Sequence, residues 1–283
     1  MRQCFSIGLF ALLVLSLPGC GGFRDTKPQL PGNLDTLCMP DYASGFEMYR
    51  YDSSTLLRIV NPWQGADSVS QWVFLSRDDE KPPKGFAGET IDVPVRRIVC
   101  MSSSYVAFLE ALGADSTICA ISGTGYIWSD KVRNRIAGGE IAEAGFDNSL
   151  NFEKLVALKP DVVFLYGLTG KNAVTDKLHE LGLKTVYIGD YVENNPLGRA
   201  EWITVFGEFT GRRELARTLF DSISNEYNRA KALVSGVEKR PEVMLNAPWQ
   251  DSWFVPGDRS YMVRLLEDAG GNYACRGVDS DQS

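Results

Sequence analysis

Any chemistry in this chain has to be done with one histidine. His179 is the single imidazole, which severely limits general-base arrangements. It also falls short of the several imidazoles that zinc or manganese sites usually draw on. No Gly-x-Ser-x-Gly elbow and no phosphate loop occurs. Gly123-Thr124-Gly125-Tyr126-Ile127-Trp128 begins like a dinucleotide fingerprint but lacks the third glycine. The cysteines match no zinc spacing, and iron held by tyrosine and carboxylates has no spacing to support it. What remains is contact equipment. Aromatic residues sit among small and polar neighbours at Tyr126, Trp128, Phe146, Trp249 and Trp253, and a serine run, Ser102-Ser103-Ser104, follows a short apolar segment. This inventory points away from an enzyme and implies no cofactor.

The elements that must position these residues begin after a leader. Arg2 precedes an apolar run from Phe5 to Leu17 that ends in Leu17-Pro18-Gly19-Cys20. The run is shorter than the ~20 residues that span a bilayer, and its layout is that of a signal peptide, residues 1–19. Leu-Pro-Gly-Cys resembles the lipobox of bacterial lipoproteins, although Pro18 is unusual there. The resemblance implies that Cys20 becomes the lipidated first residue. Several acyl chains anchor firmly at ~0.8 kcal/mol per buried methylene. Gly21-Gly22, Lys27-Pro28 and Pro31-Gly32 make residues 20–42 a tether. Export permits disulfides among Cys38, Cys100, Cys119 and Cys275, with three pairings open and free thiols equally compatible.

Residues 43–94 read as a β-rich lead-in module packed on the first α/β lobe. Phe46–Tyr51 and Leu56–Val60 flank an Asp52-Ser53-Ser54 turn, and Gln71–Leu75 is a third strand. From Arg96 the rhythm becomes strand, loop, helix. Strands are expected at 97–101, 117–121, 161–166 and 185–188, and helices at 106–112, 152–158 and 172–181. That alternation implies a parallel sheet in an α/β lobe over 95–197. Residues 198–240 are an interlobe helix region with helices at 198–209 and from 213 to about 237, the second carrying Leu215, Leu219, Ile223, Tyr227 and Ala230 as one apolar stripe. Residues 241–283 then resume with strands at 242–245 and 253–255 and a helix at 261–269. Two strands cannot bury both faces of an α/β sheet, so this second lobe is expected to be incomplete, a truncated start.

Four segments together resemble the periplasmic solute-binding proteins with a helical interlobe connection, the group serving iron-siderophore, haem and cobalamin importers. They are Arg97–Ser104 with Glu110–Gly113, Leu150–Val163, the long helix after Arg213, and Leu265–Asn272. The resemblance implies two Rossmann-like lobes joined by a long helix. It implies capture of an iron chelate (siderophore or haem) and delivery to an ABC importer permease; a corrinoid ligand, or a scaffold or adhesion role, are the alternatives. Glu153 and Glu267 match the family's permease-docking carboxylates, which meet arginines and fix register. The ligand is expected between the lobes, near the carboxyl ends of the strands. That position selects Ser103, Ser104, Tyr105, Tyr126, Trp128 and Phe146 from the first lobe, and Trp249 and Trp253 from the second. Aromatic rings there suit a large planar or chelated ligand. The net charge of −7 argues against a nucleic-acid partner. The expected location is the cell envelope, held to a membrane through the lipid anchor.

Overall fold

A computed structural model describes residues 34–146, 149–167 and 173–280. The signal peptide, Cys20 and the Cys38 side chain lie outside the described residues. Five strands come first: β1 (Asp35–Cys38), β2 (Phe46–Tyr51), β3 (Ser54–Val60), β4 (Ser70–Ser76) and β5 (Glu89–Asp92). They form one sheet in chain order, antiparallel except for the parallel β4–β5 pair. Part of the expected tether therefore pairs as β1, and β5 adds a strand that the sequence pattern did not single out.

The α/β part continues as β6 (Ile98–Cys100), α1 (Ser103–Ala111), β7 (Ile118–Ile121), α2 (Asp130–Ala137), β8 (Ala142–Glu143), α3 (Phe152–Leu158), β9 (Val162–Leu165), α4 (Ala173–Glu180) and β10 (Thr185–Tyr187). Its five strands are all parallel, in the order β10-β9-β6-β7-β8. The chain winds outward from β6 in one direction and then restarts at β9 in the other. A crevice must therefore open at the carboxyl ends of β6 and β9. Short all-buried strands are what such a sheet requires, because helices or other layers cover both faces.

Alternation along the strands splits the apolar residues into two cores. Val99, Val163, Leu165 and Tyr187 face the layer holding α3 and α4. Ile98, Phe164 and Val186 face the other way, into a core shared with Phe46, Leu57, Val73 and Ile91 of the first sheet. The lead-in strands and the parallel sheet thus share one apolar interior. Cys100 joins that shared core while Cys119 lies in the opposite one. With the sheet between them, those two thiols cannot bridge. Both are free, as is Cys275.

Polar contacts lock the same interface. Gln71, buried on β4, donates its side-chain amide to the Thr185 carbonyl at 2.9 Å and accepts the Tyr187 N–H at 2.9 Å. One side chain so satisfies the open edge of β10, which would otherwise offer unpaired backbone groups. Of three further elements, α5 (Pro196–Glu201), α6 (Ile203–Thr210) and α7 (Arg213–Leu233), the first two supply buried carboxylates. Glu201 accepts the N–H groups of Asp41, Tyr42 and Ala43, each at 2.8 Å. Glu208 accepts from Thr55, Arg77 and Arg213. Glu193, just before α5, accepts from Ser44, Gly45 and the Trp202 indole.

The long helix α7 starts where expected but ends at Leu233, short of 237, and does not bury its expected face. Ala216 and Phe220 are buried, whereas Leu215, Ile223 and Ala230 are exposed. The reason is a close crossing: a Cβ on Gly207 of α6 would meet the Ala216 methyl at 2.5 Å. That contact turns the helix about one residue from the stripe read in the sequence. Beyond it, β11 (Glu242–Val243), α8 (Tyr261–Asp268) and β12 (Asn272–Tyr273) complete the described elements. β11 and β12 pair in parallel as a two-stranded sheet. Residues 253–255 form no strand; the backbone around Trp249 closes a tight turn onto Ser252 instead.

Candidate functional site

The crevice required by the strand order is present. A cavity of about 270 Å³ opens at the carboxyl ends of the parallel strands. Met101, Ser102 and Ser103 follow β6, Ser122 and Tyr126 follow β7, Phe146 follows β8, Tyr166 follows β9, and Asp190 and Tyr191 follow β10. Each strand therefore delivers at least one residue to a single opening.

Its floor is rigid and polar. Tyr105, fully buried in α1, donates its hydroxyl to the Leu165 and Ile188 carbonyls, 3.3 Å each. This ties α1 to the ends of β9 and β10. Burial holds the Tyr105 phenol well above its ordinary range. Ser102 caps α1 by accepting the Ser104 N–H, so the positive end of the helix faces the opening. Asp190 sits beside Ser104. Burial raises its carboxyl from 3.8 to about 6, opposed by the Ser104 hydroxyl and the Arg199 charge.

The rim is aromatic and braced from below. Tyr126 is 70% exposed and Phe146 is 50% exposed. Gly123, at φ +76°, lies under both: a Cβ there would meet Tyr126 at 2.9 Å and Phe146 at 3.3 Å. Glu143 fixes the loop by accepting from the N–H groups of Gly123, Thr124 and Gly145 and from the Thr124 hydroxyl. Burial pushes the Glu143 carboxyl up, but those donors outweigh it and hold it below the usual range. The opening presents exposed rings, hydroxyls, a helix end and one titratable carboxyl. Among the described residues, no group of three or more His, Cys, Asp or Glu could hold a metal ion.

Of the residues expected at a ligand, Ser103, Tyr105, Tyr126 and Phe146 line this cavity, with Ser104 against Asp190. Trp128 stands outside it, 91% exposed at the start of α2. Trp249 is also largely exposed, and neither it nor Trp253 touches the cavity. Ser122, Tyr166, Asp190 and Tyr191 were not singled out by sequence reasoning. The signal was available: Tyr166 ends one expected parallel strand, Ser122, Asp190 and Tyr191 follow others, and Tyr191 is itself an aromatic in a loop. Glu153 is exposed in the first turn of α3, where Asn151 caps the helix. Glu267, on α8, is half-buried and ion-paired with Arg276.

The periplasmic binding protein family profile matches residues 98–279, which contain β6–β12 and the whole cavity. The chain belongs to the periplasmic binding protein family. Among solved structures, a possible iron-binding (periplasmic solute-binding) protein from Staphylococcus epidermidis aligns with TM-score 0.52 and 22% identity, covering 64% of this chain and 67% of that one. The periplasmic heme-binding protein HutB of Vibrio cholerae aligns with TM-score 0.53 and 19% identity, over 66% and 68%. At such identities the likeness is one of fold. An uncharacterized lipoprotein of Methanocaldococcus jannaschii is 26% identical over all of this chain and 75% of its own length. A second lipoprotein of that organism is 27% identical, over 88% of this chain and 63% of its length. The chain thus spans between about two thirds and three quarters of these lipoprotein relatives. The lead-in strands β1–β5 precede the family segment.

Proposed function

We propose that this periplasmic binding protein captures a metal chelate, of the siderophore or haem class, and delivers it to an ABC permease from a lipid anchor on Cys20. The observation that carries the reading is the cavity fed by all five parallel strands, with exposed Tyr126 and Phe146 on its rim. Exposed rings over a polar floor fit a ligand with a broad apolar surface and a few acceptor atoms. Structural neighbours described as iron-binding and heme-binding, and another described as a siderophore binding protein, support that ligand class. The lipoprotein names of the relatives support the anchor.

In this proposal residues 95–197 grip the ligand from one side, and residues after 241 close over it with Trp249 and Trp253. Glu153 and Glu267 face the permease. Packed helices between the two parts limit their relative motion to a modest adjustment. Intrinsic fluorescence titrated with haem, a ferric hydroxamate, a ferric catecholate and a corrinoid tests the ligand. Quenching is expected with one of the iron chelates. Saturation by the corrinoid alone would move the ligand to the cobalamin class, and no response to any of the four would remove the transport reading.

A further inference from the structure

A second cavity, of about 470 Å³, lies beside the first and exists only because the lead-in sheet is there. The loop from β3 to β4 supplies Asn61, Trp63 and Gln64; the chain after β10 supplies Tyr191 and Asn194; α5 supplies Arg199. Tyr191 lines both cavities. Its hydroxyl donates to the Gly167 carbonyl and accepts the Gln64 N–H, so one side chain stands as the partition between them.

The wall is built closely. Trp63 pairs with Gly167 as an isolated parallel bridge, and its ring packs edge-on against Tyr187 at 5.3 Å. A Cβ on Gly167 would come within 2.8 Å of the indole, so the loop is seated tightly against the end of β9. The wall carries one carboxylate and one guanidinium, and Asp190 also lies close enough to act on the guanidinium. Glu193 is buried and already accepts three N–H groups and the Ser44 hydroxyl. Arg199 spends Nε on the Glu193 carbonyl and one terminal nitrogen on the Tyr191 carbonyl, and its guanidinium lies 3.7 Å from the centre of the Tyr261 ring. Its Nη1 has no partner among the described residues. A held guanidinium with a free N–H edge, in a pocket lined by amides, is a donor site for a carboxylate.

We infer that this second cavity is a subsite for a carboxylate-bearing arm of the ligand, with Arg199 as the anion partner. The inference rests on the neighbouring cleft being the ligand site. It gives the lead-in strands a role in selecting the ligand, beyond packing.

Two titrations test it. In the first, tricarballylate is added to ¹⁵N-labelled protein, and the Arg199 side-chain N–H and Trp63 indole signals are followed. Both are expected to shift, and Arg199→Met and Asn194→Trp should each weaken the effect at least about tenfold, by loss of a charge-assisted hydrogen bond or by blocking. Asn194 is exposed, so that variant reports even if Arg199→Met fails to fold. Shifts at neither signal, or shifts that survive both variants, would overturn the subsite. In the second, haem is compared with its dimethyl ester. Haem should bind at least about tenfold tighter to the unaltered protein and equally to Asn194→Trp. Equal binding of the two porphyrins to the unaltered protein would refute the arm's placement. If tricarballylate shifts both signals while no porphyrin or ferric chelate binds, the transport reading falls and the carboxylate subsite stands.

Discussion

Glu201 and Tyr42 stand 159 positions apart in the chain and meet as carboxylate and backbone amide at 2.8 Å. The same oxygen accepts the Ala43 N–H, and its twin accepts that of Asp41. Removing a fully buried acceptor leaves these donors without their partner, at about 1–3 kcal/mol for each group that water cannot reach. Glu201→Ala is therefore expected to destabilise the protein by roughly 2–4 kcal/mol. It should also expose residues 39–45 to protease before the rest unfolds. Urea unfolding with limited proteolysis checks this; unchanged stability, or first cleavage elsewhere, would count against the clamp.

Gly123 carries two demands at once: a positive φ and space beneath two rings. Gly123→Ala is expected to cost about 1–3 kcal/mol from the left-handed backbone alone. Displacing Tyr126 and Phe146 should also weaken ligand binding. Thermal unfolding and fluorescence titration read the two effects separately. A variant with unaltered affinity would show that the rings do not touch the ligand.

Asp190 sets a pH dependence. Burial raises its folded-state value to about 6 from 3.8, so the folded protein holds a proton that the unfolded chain releases. Stability from this group is fully present below 3.8 and is lost as pH rises through about 6. Asp190→Asn should then stabilise the protein near pH 7.5 by up to about 3 kcal/mol, at ~1.4 kcal/mol per unit. The gain should vanish near pH 4. Denaturant unfolding at both pH values decides; equal gains at both would exclude the mechanism.

The docking proposal predicts a split between uptake and binding. Glu153→Arg with Glu267→Arg should abolish uptake of the ligand in cells and leave its affinity within about twofold, since rim charges steer partners more than they hold small ligands. Loss of the solvent-exposed Glu267–Arg276 pair should leave the fold intact, because water and salt screen such pairs. Undiminished uptake would remove both residues from the permease interface.

Much of the architecture was legible from local pattern. The helix at 152–158 coincides with α3, because Asn151 caps it and Pro160 follows the left-handed Lys159 that ends it. The four longer parallel strands fall within a residue of their expected spans. β8 was not legible, since two residues carry no periodicity. The α7 face was read a residue away because its partner, Gly207 on α6, belongs to a different element.

The sequence by itself determined most of the longer strands and helices, that the sheet is parallel, and where the family segments lie. Those depend on periodicities of two and of 3.6 residues and on caps, all within one turn of chain. Only the tertiary structure decided that Gln71 pairs with Thr185 and Tyr187, that Glu193, Glu201 and Glu208 are buried acceptors, and that Asp190 and Tyr191 share a cleft with Phe146. A glutamate on a helix reads the same whether it faces water or a backbone amide more than a hundred residues away. The difference lies in desolvation, and burial is a property of the assembled layers.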